Sequence, residues 1–326
     1  MTTLRQLRYL VALSRHRHFG RAAEECAVSQ PALSVQIQEL EADLDVVLVE
    51  RGRGRITLTG EGEEVARRAV RILAEVSDLE DYARHRTRLL TGPLRLGVIP
   101  SIAPYLLPAA LPSLQERFPA LELRLRESQT AVIVDELQRG ALDVLLLSLP
   151  LEQPDIETVR LFDDRLLLAL PATHPLAGRP DCAARLLAEE RLLLLEEGHC
   201  LRDQTLSYCR PSEPGAQPGF GASSLSTIIQ MVANGLGITV LPEISLAFEA
   251  HDPRIALLRF PEPQPTRAVA LAWRRSSPRK RDFVELGKLL AASRAPAWAD
   301  QDARFAVTGR RGSDISGKMP PQTRPA

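Results

Sequence analysis

Cysteine is scarce in this chain, with 4 among 326 residues. An excess of one charge is missing too: Lys+Arg and Asp+Glu each total 41. That balance excludes a globally basic nucleic-acid coat and leaves only a local patch open. No run approaches the roughly 18 consecutive apolar residues needed to cross a bilayer. The opening segment MTTLRQLRYLVALSRHRHFG is broken by arginine every few residues and has no apolar core of signal-peptide length. These absences lead us to expect a soluble cytoplasmic protein without membrane contact. In that compartment a permanent disulfide framework is disfavoured, so the few cysteines are buried, metal-bound or redox-active. The length allows two or three domains.

What is present begins with three short helical patterns. Leu4, Leu7, Leu10, Val11 and Ser14 recur at helical spacing, and Phe19, Ala22, Ala23 and Cys26 form a second apolar side. In VSQPALSVQIQELEADL, Ser29 suits an N-cap and Pro31 fits the first turn. Leu33, Ile37, Leu40 and Leu44 predict one buried stripe. The opposite side carries Pro31, Ser34, Val35 and Gln38. Small and amide side chains near a helix N-terminus suit a DNA major groove, where Gln pairs with adenine and methyls touch thymine. In RGRGRITLTGEG, Arg51, Arg53 and Arg55 share one face of an extended strand, and Gly52 and Gly54 permit a tight turn. This reads either as a wing on phosphate or minor groove, or as a solvated hairpin beside a three-helix bundle.

The segments LRQLRYLVAL, SQPALSVQIQELE and LVERGRGRITLTGEG resemble the winged helix-turn-helix of LysR-type transcriptional regulators. The resemblance implies that residues 1–60 bind promoter double-stranded DNA. It places Ser29, Pro31, Ser34, Val35 and Gln38 toward the groove, and Arg51 and Arg53 on the backbone or minor groove.

Residues 61–91 predict a long linker helix. Val65, Ala69, Ile72, Val76, Leu79 and Ala83 follow alternating steps of four and three, a heptad seam. It is read as a helix packed on its own domain or, given its position between domains, as the seam of a homodimer. From residue 92 to 293 strands and helices alternate. LRLGVI, PYLLPAALPSLQERFP, LELRLRE, TAVIVDELQRG and ALDVLLLSL read as β-α-β-α-β, hence a parallel sheet. RLLLAL, RLLLLEE, the helix from Ser224 to Ala233 closed by Asn234-Gly235, GITVLP and RAVALAW supply a second set. The expected fold class is therefore α plus α/β: a winged helix-turn-helix, a long helix, and two α/β lobes. The lobes resemble the periplasmic-binding-protein-like effector domain of the same family. Ser101 and Thr130 fall where such folds meet ligands, although helix capping explains them equally well. Residues 294–326, rich in Gly, Pro, Ser and Arg, are expected to form a disordered tail.

The stretch LLLLEEGHCLRDQTLSYC sets Cys200 and Cys209 nine positions apart. Structural zinc needs four ligands, and only His199 lies beside them. Two buried structural thiols or a redox pair remain open. For the redox reading, His199, Arg202 and a helix N-terminus are expected to favour the Cys200 thiolate. Nine residues of helix separate two Cα atoms by roughly 13 Å, whereas a disulfide needs about 7 Å or less. Bonding the pair must therefore unwind any helix between them.

That stretch, with IPSIAPYLLP, ESQT and ANGLGITVLP, is similar to the hydrogen-peroxide-inducible activators among the LysR-type regulators. The likeness spans residues 1 to about 290. It implies a peroxidatic Cys200, a resolving Cys209, and a peroxide pocket of Ser101, Thr130, His199, Arg202 and Arg267, with no metal and no cofactor. The family usually carries Thr where this chain has Ser101, so the hydroxyl is kept and a methyl lost. Cys26 and Cys182 read as packing residues. The implied partners are promoter DNA, hydrogen peroxide, RNA polymerase, thioredoxin or glutaredoxin as reductant, and further copies of the chain in a homodimer and homotetramer. The implied protein is a regulator and not a turnover enzyme. The alternative is a LysR-type regulator that binds a small acid in the cleft. A thiol peroxidase or a solute-binding protein is disfavoured by the winged helix.

Overall fold

The computed structural model describes residues 1–51, 56–84, 89–179, 190–209 and 221–294. Arg53, Cys182 and the expected tail from residue 295 lie outside them, as does the side chain of Arg51.

The first helix, α1 (Leu4–His16), opens with a capping box in which Thr3 and Gln6 satisfy each other's backbone N–H groups. It packs with α2 (Phe19–Glu25) and α3 (Gln30–Leu44) around Leu7, Leu10, Leu13, Ala22, Leu33, Ile37 and Leu40. Leu44 departs from the predicted stripe. It is 40% exposed, because α3 ends there and Asp45 turns the chain through a left-handed residue. The strands β1 (Val49–Arg51) and β2 (Ile56–Leu58) pair antiparallel as the stem of the wing.

The linker helix α4 runs Gly60–Arg84. Gly62 has no room for a side chain, since a Cβ there would collide with the Leu48 carbonyl oxygen. The seam is only partly used within the chain. Ala69 is buried in the N-terminal core, while Ile72 and Leu79 are 46% and 67% exposed.

Beyond it come β3 (Gly92–Val98), α5 (Ala103–Arg117), β4 (Leu121–Glu127), α6 (Thr130–Gln138) and β5 (Val144–Ser148). β3 lies parallel to both β4 and β5, as the β-α-β-α-β pattern requires. Gly140, at φ 73°, ends the turn after α6. The next strand, β6 (Ile156–Pro171), has 16 residues and serves both lobes. The second lobe holds β7 (Leu194–Leu195), α7 (Cys200–Tyr208), β8 (Gly221–Ala222), α8 (Leu225–Ala233), β9 (Thr239–Pro242), α9 (Leu246–Glu249) and β10 (Ile255–Leu258). β11 (Thr266–Arg274) and α10 (Lys280–Ala292) close the first. Among the described residues one sheet runs β10-β6-β11-β5-β3-β4, with β9 also on β6. RLLLAL is thus the far half of β6, and RLLLLEE keeps only the two residues of β7 as strand.

Candidate redox site and DNA-reading face

Ser29 caps α3 by accepting the Ala32 N–H at 3.4 Å, so its hydroxyl is engaged within the protein. Pro31, Val35 and Gln38 are exposed and Ser34 is half-buried. They lie opposite buried Leu33, Ile37 and Leu40, as helical spacing dictates.

In the effector lobes four elements converge. Cys200 is the first residue of α7 and Thr130 the first of α6. Ser101 lies in the turn before α5, and Arg267 comes from β11. Neither hydroxyl caps its helix: Ile102 and Gln129 hold the cap positions, and no side chain caps either end. Ser101 is instead held by Arg267, whose Nη1 donates to its Oγ at 2.7 Å and whose Nη2 donates to its carbonyl at 2.9 Å. Arg267 is 1% exposed. Its Nε donates to Asp164 Oδ2 at 2.9 Å, and Asp164 Oδ1 accepts the Ile244 N–H at 3.0 Å. A guanidinium buried so completely requires such an anion. Burial pushes the Asp164 carboxyl up, against the pull of Arg267 and the Ile244 amide.

The expected thiolate environment needs correction. Burial pushes the Cys200 thiol above its ordinary value, and Asp203 adds to that push. Arg267 is the main influence the other way, followed by the Thr130 hydroxyl. Thr130 Oγ1 is buried without a partner at regular hydrogen-bond geometry, so it is a neighbour of the sulfur and not a formed bond. Arg202 points elsewhere, donating to the Leu195 carbonyl at 3.1 Å. His199 is buried, and desolvation lowers its imidazole below the ordinary value, which favours the neutral form. Cys200 does open α7, as its sequence position led us to expect.

Cys209 closes the other end of α7 as its C-cap and is fully buried. The three described cysteines, Cys26, Cys200 and Cys209, are thiols. Cys26 packs half-buried against the N-terminal core. With α7 intact, its ends stand roughly 13 Å apart at 1.5 Å per residue, too far for a disulfide. Nine residues also fall short of the ~12–15 that make even a good helix stable alone. Its neighbours hold it: Leu201 and Thr205 are buried, and Gln204 donates to Ser148 Oγ at 2.8 Å and to the Leu149 carbonyl at 3.3 Å. Gly198, at φ 90°, carries the chain into α7 beneath Gln129, which donates to the Glu197 carbonyl at 3.0 Å. Sequence reasoning missed Asp164, Gln129 and Gln204. The only signal for Asp164 was the need of a strand arginine for a buried acid.

A winged helix-turn-helix joined by a long helix to two α/β lobes, with a thiol between them, defines a ligand- or redox-responsive DNA-binding regulator. The chain belongs to the LysR family. The family model "Bacterial regulatory helix-turn-helix protein, lysR family" matches residues 4–63, and "LysR substrate binding domain" matches residues 87–292. It is 40% identical over 289 residues to the DNA-binding transcriptional dual regulator OxyR of Escherichia coli strain K12, covering 89% of this chain and 95% of that protein. Among solved structures it resembles a full-length OxyR cysteine-to-aspartate variant from Pseudomonas aeruginosa. There the TM-score is 0.68 and the identity 38%, covering 91% of this chain and 99% of the other. A hydrogen-peroxide-bound cysteine-to-serine mutant of Corynebacterium glutamicum OxyR aligns at TM-score 0.62 and 34% identity, covering 96% and 99%.

Proposed function

We propose that this protein is a peroxide-sensing transcription regulator whose signal is a reversible Cys200–Cys209 disulfide. The observation that carries this reading is the placement of the two thiols at opposite ends of one short helix, with the first beside Arg267, Ser101 and Thr130. The Cys200 thiolate attacks one peroxide oxygen, the O–O bond breaks, and hydroxide leaves to become water. The resulting sulfenic acid is attacked by the Cys209 sulfur, which forms the S–S bond and releases a second water. Ser101 and Thr130 are the hydroxyls suited to orient the peroxide, and Arg267 stabilises the charge that develops. His199 and Arg202 shape the pocket wall from outside that charged centre. α7 unwinds, and the rearrangement passes through the oligomer to the DNA-binding heads.

Exposed Ile72 of the α4 seam lines a groove of about 650 Å³ with Leu7, Leu44, Val46, Val65 and Ala69, which suits the linker helix of a second copy. A two-fold dimer then sets two copies of α3 on half-sites about one helical turn apart, and two dimers form a tetramer. Ser34, Val35, Gln38 and Pro31 face the groove, with Arg51 and Arg53 on the backbone. In the cytoplasm the oxidised form activates oxidative-stress genes through RNA polymerase, and thioredoxin or glutaredoxin resets it. Peroxide is consumed once per switch, without enzymatic turnover.

The test is graded, near-stoichiometric peroxide on reduced protein, followed by alkylation, tryptic digestion and mass spectrometry. Cleavage after Arg202 separates the two cysteines, so the expected product is a linked Cys200–Cys209 peptide pair with Cys26 and Cys182 still alkylated. Its absence would overturn the reading.

A further inference from the structure

Among the described residues, the linker helix meets the effector lobes at a buried ion pair. Asp78 of α4 is 5% exposed, and its Oδ1 accepts from Arg274 Nη2 at 2.5 Å. Ser276 Oγ donates to Asp78 Oδ2 at 2.7 Å. Arg274 spends its other amino group on two carbonyls, those of Leu137 and Leu142, each at 2.8 Å. One turn earlier on α4, buried Ala74 lies over Gly140, where a Cβ would sit 3.5 Å from the Ala74 Cα.

The two elements gripped at this point both start in the redox site. β11 carries Arg267 at one end and Arg274 at the other, seven residues or about 23 Å along a strand. α6 begins with Thr130 and offers the Leu137 carbonyl from its last turn. A central strand, despite its register shift between Val269 and Ala270, and a packed helix thus give a contiguous route from Arg267 and Thr130 to Arg274. Among the described residues, Arg274 meets the DNA-binding half through Asp78 of α4.

We propose that Asp78 and Arg274 are positioning residues that tie the orientation of the linker helix, and with it the DNA-binding head, to the state of the redox site. The pair makes no contact with the thiols and does not alter their chemistry. It converts their state into a change at α4. This rests on the function proposed above.

Hydrogen–deuterium exchange of the full-length protein, reduced and peroxide-oxidised, tests it together with mass-spectrometric counting of the disulfide. The panel is wild type, Asp78→Asn, which keeps the shape and removes the charge, and Arg274→Lys, which keeps the charge but cannot reach Asp78 and both carbonyls at once. In wild type, oxidation is expected to change exchange in both α7 and residues 72–84 of α4. In both variants the disulfide and the α7 change are expected to remain, while the redox-dependent change in α4 falls at least about fivefold. Asp78→Glu is expected to restore part of it. A merely structural role would shift α4 equally in both redox states and leave the difference intact. A full redox difference in α4 of either folded variant overturns the proposal, as does a wild-type α4 that ignores oxidation while α7 responds. Failure of the disulfide to form in wild type marks the collapse of the proposed function itself, and this inference falls with it.

Discussion

Arg267 grips Ser101 at two points, the hydroxyl and the carbonyl, while its remaining edge lies on Asp164. One cation thus fixes a pocket hydroxyl and opposes the burial of the Cys200 thiol. Replacing it with glutamine is expected to slow sulfenic acid formation at neutral pH, since the main influence favouring the Cys200 thiolate is lost. It also orphans Asp164, so the unfolding free energy should fall by about 3–5 kcal/mol. Quenched-flow alkylation and urea titration of Arg267→Gln read the two effects separately. An unchanged peroxide rate would remove Arg267 from the chemistry.

The raised Cys200 thiol fixes the sign of a pH dependence. Below its folded value the thiolate fraction grows with pH, so the peroxide rate should climb through neutral pH and go on climbing beyond the ordinary value of 9.0. The unfolded chain gives up this proton first. Stability of the reduced form is therefore fully present below pH 9.0 and declines as the pH rises toward the folded value. Stopped-flow rates from pH 6 to 10 check the first statement, and a rate that levels off near neutrality would refute it.

His199 works in the opposite direction. Burial lowers its imidazole from 6.5, so the unfolded chain takes up the proton that the folded chain resists. Its contribution is present above pH 6.5 and is lost as the pH falls below it. Denaturant midpoints between pH 5 and 8 should show a steeper acid loss for wild type than for His199→Gln. Equal slopes would show that the histidine is not desolvated on folding.

At the linker seam, Ile72 and Leu79 expose more apolar surface than a helix of one copy requires. Glutamate at both positions is expected to give monomers that keep their fold and their disulfide chemistry but lose at least about a hundredfold in DNA affinity, as two half-sites no longer bind together. Sedimentation and fluorescence anisotropy on promoter fragments measure this. Retention of the dimer would move the interface elsewhere.

Local devices were legible in the sequence because the partners lie a few residues apart. Ser29 caps α3, Asn234-Gly235 ends α8, and Cys200 opens α7. The parallel β3, β4 and β5 followed from the alternation of apolar strands and helices. In the redox site the thiols and the hydroxyls of Ser101 and Thr130 were legible, and Arg267 came with the family resemblance, but the buried partners were not. Asp164 and Arg267 are 103 positions apart and Asp78 and Arg274 are 196 apart, and no local pattern announces such pairs. Arg202 misled for a related reason: two positions from Cys200 is close along the chain, but its side chain turns to the Leu195 carbonyl. The burial that raises the Cys200 thiol is likewise a property of the packed lobes.

The shortness of α7 also sets a time scale. A nine-residue helix forms within about a microsecond once its ends are released, whereas thiol–disulfide exchange with a reductant takes seconds to hours. The molecule therefore keeps no memory of its own. On the proposed disulfide switch, how long a promoter stays switched is decided by the supply of reducing thiols, and each reading of the oxidant ends when that supply recovers.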